Sequence, residues 1–391
     1  MMQIADAAVA EHFVAGSPIP SRVFERAIRN VIDIIEGNLA LARRGASAET
    51  AGGADPGERG DYLYSTAFWP GLLWLAYEAT DDPKYAEAAA ELLERSRKSL
   101  AEKDPASEFG VFHTLACVAA YRISGDANAR QMGLAAADYL SACYQTKAGF
   151  IQIKDPAENA AQTSGVPIHS LLNLPLLYWA SKVSGERGYH LIAYRHARQA
   201  ALYMVRDDFS TNHTVYLDEQ SGVPLWDKLQ VGPGADSCLA RSQAWGIYGF
   251  ALSYIYTRDW HFLVLAKRLA DYFLARLPKD GICQVDLACR GENQPKDSSA
   301  AALAVCGLLE LSKHLPMVDD DKRSYENAAL TILSALVARY AATSATNSGR
   351  LLKNAAPDGD GERDYPENAG YGDYYFLEAL LRVTRDWEIY W

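Results

Sequence analysis

The sequence has no C-x-x-C pair, no run of Lys or Arg longer than two, and no apolar stretch near the roughly 20 residues that span a bilayer. Each absence removes a class of function. Without a basic stripe there is no electrostatic footprint for nucleic acid. Without a long apolar run there is no membrane-spanning helix, and the opening "MMQIADAAVAEHF" shows neither the basic nor the apolar region of a secretory leader. Cys117, Cys143, Cys238, Cys283, Cys289 and Cys306 are scattered, several in apolar contexts such as "LACVAAY" and "LAVCGLLEL". Free thiols in a reducing cytoplasm are the expectation, and clustered Cys/His zinc ligands are missing. No GxSxG, HExxH or Rossmann glycine pattern occurs. The "GPG" at 232–234 lacks the Lys-Ser/Thr of a phosphate loop and reads as a turn.

What is present is helix periodicity. Hydrophobic residues make up 49% of the 391, enough for a large core, and they recur at i, i+3, i+4 and i+7. Twelve segments follow: 22–43, 68–79, 83–100, 110–123, 127–144, 167–184, 187–206, 241–256, 260–276, 297–314, 322–340 and 371–385. A punctuation recurs between alternate pairs, in "YEATDDPKYAEAA", "YRISGDANARQMG", "KVSGERGYHLIA" and "YIYTRDWHFLVLA". In each, an apolar helix stops, a turn follows, and a charge-bearing helix opens. The first member of a pair is apolar nearly all round and belongs inside; the second has a charged face and belongs outside. Six such hairpins predict an all-α (α/α)6 barrel, one domain over 1–391 with 1–21 as an N-terminal extension. The long loops leading into the inner helices share one rim, where a functional cleft is expected. Net charge is −11, so an anionic substrate has to be held by local cations.

"AFWPGLLWLAYE", "SLLNLPLLYWA", "RSQAWGIYGFAL", "KDSSAAALAVCGLLEL" and "GDYYFLEALLR" resemble, in order over about 60–385, the unsaturated glucuronyl hydrolases. These are glycoside hydrolases of family 88, related to family 105. The resemblance implies the same barrel, no metal and no organic cofactor, and an oligosaccharide or uronic-acid glycoside as partner. It implies removal of a terminal 4,5-unsaturated uronate: an acid protonates the enol ether at C4, water adds at C5, and the hemiketal rearranges and expels the remaining sugar. The resemblance also exposes a departure. Where the family keeps its two catalytic aspartates, "EFGVF" has Glu108 and "VPIHSLLNLP" has His169.

His169 is thus the expected proton donor with Glu108 supporting it, and a Glu108–His169 hydrogen bond would strengthen the imidazolium. The plainer reading makes His169 a satisfied buried histidine and Glu108 a solvated helix-start carboxylate. Tyr64, Trp69, His213, Arg241, Gln243 and Trp245 are the substrate-binding candidates. Arg241 can hold a carboxylate through paired hydrogen bonds, and Trp245 can offer a face to a sugar ring. Thr66 and Lys154 stand where the family differs. Asp297 needs only a helix-capping role; Tyr374 and Tyr375 read as core. A His/Glu pair also suits a lyase, hydratase or epimerase on a uronic acid, and a non-catalytic sugar-binding relative completes the alternatives. Neither nucleic acid nor membrane is an expected partner, and homo-oligomerisation is left open.

Overall fold

A computed structural model describes residues 21–49, 67–103, 108–152, 163–218, 221–225, 237–289, 295–343, 349–353 and 370–391. Tyr64, Thr66, Lys154 and residues 1–20 lie outside them. All twelve expected helices are present: α1 (Ser21–Glu49), α2 (Trp69–Thr80), α3 (Pro83–Glu102), α4 (109–124, with a π turn at Thr114–Val118), α5 (Ala127–Ala142), α6 (Leu174–Ser184), α7 (Arg187–Tyr203), α8 (Ala240–Thr257), α9 (Trp260–Ala275), α10 (Ser298–Lys313), α11 (Asp320–Ala335) and α12 (Gly370–Thr384).

The recurrent punctuation is a recurrent turn. Each of α2, α4, α6 and α8 ends in Ser or Thr whose hydroxyl donates back one helical turn: Thr80 to the Ala76 carbonyl, Ser124 to Ala120, Ser184 to Ala180 and Thr257 to Ser253, all at 2.6–2.8 Å. The next residue is left-handed: Asp81, Gly125, Gly185 or Arg258, at φ between 55° and 78°. The third is an acid that caps the outer helix, with Asp82, Asp126, Glu186 and Asp259 accepting backbone N–H groups at 2.8–3.1 Å. Three residues therefore stop one helix, reverse the chain and start the next.

Burial sorts the helices as the patterning does. α10 is buried continuously from Ser298 to Leu308, whereas α3 buries one stripe: Tyr85, Ala88, Ala89, Leu92, Leu93, Ser96 and Ser99. The inner helices α2, α4, α6, α8, α10 and α12 touch in sequence, and α12 returns to α2. α3, α5, α7, α9 and α11 each back the inner helix before them, and α1 backs α12, so the chain's two ends complete one ring. This is the (α/α)6 barrel.

The end with the tight turns is plugged. Arg382 on α12 has a fully buried side chain, donates to Glu310 at 2.7 Å and to the Tyr248 hydroxyl at 2.6 Å, and pairs with Glu378 at 2.9 Å. After α12 the chain folds across this end. Trp391 donates its indole N–H to Glu378 at 3.0 Å and stacks on Tyr375; Trp387 donates to Glu78 at 2.7 Å.

Two features depart from the sequence reading. Two short antiparallel pairs form, β1 (Tyr144–Gln145) with β2 (Phe150–Ile151), and β3 (Thr163–Pro167) with β4 (Thr214–Asp218), the latter with Pro167 opposite Thr214. The helix expected from 167 begins only at Leu174, after a 3₁₀ turn over Ile168–Asn173. Pro175 explains the delay: it has no N–H to give an α-helical partner upstream.

Candidate active site

Because every inner helix runs from the loop-rich rim to the plugged end, six helix N-termini converge on one mouth, and each brings a first-turn or capping residue. They are Trp69 on α2, Glu108 capping α4, His169 on the turn before α6, Arg241 on α8, Asp297 capping α10 and Tyr371 on α12. The positive ends of six helices favour negative charge there, although the protein as a whole is anionic.

The two central side chains are tied through their supports. Asn173, four residues after His169, accepts the backbone N–H of Val111 at 3.0 Å with its side-chain oxygen. Glu108 caps α4 by position but makes no side-chain cap of its own, so a neighbouring segment supplies it. The approach requires Gly110, where an added Cβ would lie 2.7 Å from the Asn173 Cα. A second support is His196 on α7. It accepts Ile151 N–H on Nδ1 at 3.0 Å, which fixes a neutral tautomer that donates from Nε2 to the Ser170 hydroxyl at 3.0 Å. Ser170 is the residue after His169.

His213 enters from the residue just before β4. Ile168 N–H donates to the His213 carbonyl at 2.9 Å, joining the two histidine-bearing turns, and His213 Nδ1 is 2.8 Å from the Ser242 hydroxyl beside Arg241. Trp245 follows Arg241 by four residues and shares its helix face. Its ring lies 6.2 Å from His169, 5.1 Å from Tyr371, 5.7 Å from Tyr375 and 6.4 Å from Phe68.

The environment separates the proton affinities. Burial pushes the Glu108 carboxyl up, toward its neutral acid form. Burial, then the nearby Arg241 guanidinium, hold His169 down to about 4. Burial, Arg241 and His169 hold His213 down to about 3. Both Glu108 and His169 keep a partly exposed edge on the mouth while lying deep within it. The two shifts run in opposite directions, the carboxyl up and the imidazole down, as in sites where two titratable groups are pushed apart by their surroundings. An imidazolium strengthened by Glu108 is not found: burial and the guanidinium prevail. Asp297 caps α10 by accepting Ala300 N–H at 2.8 Å; burial pushes its carboxyl up, against Arg241 and two backbone N–H groups.

Other expectations are corrected by geometry. Gln243 does not reach the mouth. Two residues from Arg241, it faces outward, is fully buried, and donates to the Phe209 and Leu269 carbonyls at 2.8 and 3.0 Å while accepting from Thr211 at 3.1 Å. Its amide is spent on packing α8 against α9. Trp69, a substrate-binding candidate, is the first residue of α2 and only 1% exposed. Tyr374 and Tyr375, by contrast, are fully buried, in agreement with their reading as core. The sequence reading passed over Tyr371, Asn173, Ser242 and His196. "NHTVYLD", with Val215 and Leu217 buried in alternation, carried a strand signal that would have placed His213 earlier.

Comparison with known proteins agrees with this architecture. The family model described as Glycosyl Hydrolase Family 88 matches residues 50–386. The unsaturated chondroitin disaccharide hydrolase of Streptococcus pneumoniae is 39% identical over 333 residues, 84% of this chain and 83% of that protein. The unsaturated glucuronyl hydrolase of a Bacillus species is 35% identical over 331 residues, 84% of this chain and 88% of that one. The crystal structure of unsaturated glucuronyl hydrolase from Streptococcus agalactiae superposes with a TM-score of 0.83 at 34% identity, covering 98% of this chain and 97% of its own. A matched model over most of the chain, relatives of this identity and a shared barrel make the chain a member of glycosyl hydrolase family 88.

Proposed function

We propose that this hydrolase removes a terminal 4,5-unsaturated uronate from oligosaccharides, with Glu108 as acid and His169 as base. The observation that carries the reading is that Asn173 ties the start of α4, with Glu108, to the turn that bears His169; burial pushing the carboxyl up, and burial with Arg241 holding the imidazole down, support it. This exchanges the roles that the sequence suggested. Glu108 delivers its proton to C4, and the C4=C5 electrons form the new C–H bond. The cation left at C5 is shared with the ring oxygen. Water attacks C5 and gives its proton to His169. The hemiketal opens by breaking the C5–ring oxygen bond, leaving a C5 ketone and a hemiacetal at C1, which releases the remaining sugar as an alcohol. The imidazolium proton returns to the Glu108 carboxylate through water. General acid and base steps of this kind contribute roughly 10²–10⁴-fold each.

The helix N-termini and Arg241 suit the substrate carboxylate, and Trp245 and Tyr371 offer ring faces to the sugar. The relatives are named for unsaturated chondroitin disaccharides and unsaturated glucuronyl groups, so such disaccharides are the first substrates to offer. The six thiols are all free, which supports a reducing compartment such as the cytoplasm as the place of action. Among the described residues no helix is long and apolar enough to cross a membrane. The test is loss of enol-ether absorbance with unsaturated glycosaminoglycan, pectic and exopolysaccharide disaccharides. No loss with any of them sinks the proposal.

One observation favours a second reading. An acid and a neutral base facing one cleft also suit removal of the C5 proton of a saturated uronate, hence elimination or epimerisation. Solvent deuterium entering C5 of a saturated uronoside, without hydrolysis, is its signature.

A further inference from the structure

Outside the mouth, the same rim carries a cavity of about 1120 Å³ that no step above uses. It opens where the ends of α7 and α9 meet the loop 280–289 that leads toward α10. Sites that enclose small molecules measure roughly 300–1,000 Å³, so a sugar unit has room. Six charged side chains line the cavity: Arg206, Arg276 and Lys296 against Asp207, Asp208 and Asp280. In a chain of net charge −11, that even balance is a local enrichment in cations. Lys296 and Asp280 cancel at close range, with Nζ 2.9 and 3.0 Å from the two carboxylate oxygens. Both arginines are held in place. Arg206 donates to the Ser210 hydroxyl and to the Ser237 carbonyl, each at 2.9 Å. The Arg276 guanidinium carbon lies 3.4 Å from the centre of the Tyr272 ring, and Nη1 donates to the Tyr272 carbonyl at 3.3 Å. Tyr272 is 8% exposed, whereas Arg276 is open to solvent. A planar cation is thus stacked on a buried ring and presented to the cavity.

We propose that this cavity is a second saccharide site, taking one acidic sugar unit with its carboxylate on Arg276 and its hydroxyls on Asp207 and Asp208. The inference goes beyond the hydrolytic reading and rests on it only for the class of sugar. The lining selects the ligand. An apolar molecule would strand six charges, and a polyphosphate would face three carboxylates. A ring rich in hydroxyls and bearing one anion uses both signs. The cavity also shares its wall with the mouth. Ser237 precedes Arg241 by four residues, and Lys296 immediately precedes Asp297. The loop between them is stitched to both segments. Leu287 N–H donates to the Cys238 carbonyl at 2.8 Å, Ala240 N–H to Val285 at 2.9 Å and Val285 N–H to Pro295 at 2.8 Å. Asp286 accepts the Ser237 hydroxyl at 2.8 Å and the Cys238 N–H at 2.9 Å. The acidic unit has two sources, a further unit of the oligosaccharide whose end is in the mouth or a separate saccharide, and the recognition is the same for each.

Cys289 lines the cavity and is exposed, so its alkylation by iodoacetamide in the intact protein, read by peptide mass spectrometry, reports occupancy. Saturated chondroitin tetrasaccharide, which carries carboxylates but no double bond, is expected to protect Cys289 saturably, and the neutral cellotetraose is not. Arg276→Glu is expected to raise the half-protecting concentration at least about tenfold, with Tm and turnover of unsaturated disaccharide unchanged. Should that variant lower Tm, Arg276→Gln carries the same comparison. Two arms separate the sources. Protection by a saturated disaccharide as well marks a separate saccharide. Protection by the tetrasaccharide alone, with KM raised in Arg276→Glu for unsaturated tetrasaccharide but not for disaccharide, marks a longer chain. Either result supports the inference. It is overturned if the tetrasaccharide leaves the alkylation of Cys289 unchanged, if cellotetraose protects equally, or if the Arg276 variant is protected as the wild type is. Turnover of unsaturated disaccharide beside any of these leaves the hydrolytic assignment standing. Protection without turnover of any unsaturated substrate overturns that assignment and keeps the second site.

Discussion

Replacing Asn173 by Ala tests whether the acid and the base are held as a unit. The Asn173 side chain lies between the His169 turn and the start of α4, is 3% exposed, and caps the Val111 N–H at 3.0 Å. Val111 is itself 2% exposed, so alanine leaves a buried donor without its partner. That loss costs about 1–3 kcal/mol. At an unfolding entropy of about 2 cal/mol/K per residue, a chain of 391 residues shifts its midpoint by only about 1–4 °C. The effect on turnover should be larger. Glu108 and His169 sit on opposite sides of that bond, and a misplacement of about 1 Å costs roughly 100-fold in rate. Calorimetry and steady-state kinetics on unsaturated disaccharide check the pair of numbers. We expect a small fall in Tm, a kcat reduced 10- to 100-fold, and a KM close to the original. Asn173→Asp keeps an acceptor in place and should recover part of the rate. Gly110→Ala provides the opposite perturbation, since its Cβ meets the Asn173 Cα at 2.7 Å; it should damage both stability and kcat more than Asn173→Ala does. A lowered Tm with unchanged kcat in Asn173→Ala refutes the coupling.

Glu108→Gln removes the proton and should reduce kcat by about 10²–10⁴, while Glu108→Asp keeps the acid and should retain measurable turnover; the same absorbance assay decides. Gln243→Leu should destabilise by about 2–4 kcal/mol in chemical denaturation, because the Phe209 and Leu269 carbonyls and the Thr211 hydroxyl lose their partner, and it should leave KM unchanged, unlike Arg241→Gln. His196 is held neutral down to about 3 by burial. The unfolded chain binds that proton below about 6.5 and the folded one does not, so its contribution to stability is whole above 6.5 and is lost as pH falls from there toward 3. His196→Asn should therefore flatten the pH dependence of unfolding free energy across that window, by about 1.4 kcal/mol per pH unit. Arg382→Met leaves the buried Glu310 and Glu378 without their shared cation and should destabilise by about 3–5 kcal/mol, seen as a large shift in the denaturation midpoint.

How much of this was legible beforehand differs by element. The twelve helices and their inner and outer ranks follow from periodicity. The Thr80–Asp82, Ser124–Asp126, Ser184–Glu186 and Thr257–Asp259 turns are local chemistry, each closed by bonds within a few residues. Local chemistry is readable because its partners are neighbours in sequence. Gln243 was misjudged for the complementary reason. An amide two residues from Arg241 looks like a site residue until α9 is present to accept its hydrogen bonds at Leu269, 26 positions away.

The sequence by itself determined the barrel and the rim on which the loops gather, and it marked Glu108 and His169 as candidates there. It did not determine the environment of either. That was decided by tertiary structure. Burial raises a carboxyl and lowers an imidazole, and the Arg241 guanidinium, 72 residues from His169 in sequence, adds to the second effect. Solvation and Coulomb interaction depend on distance in space, so these shifts exist only once the helix starts meet at one mouth.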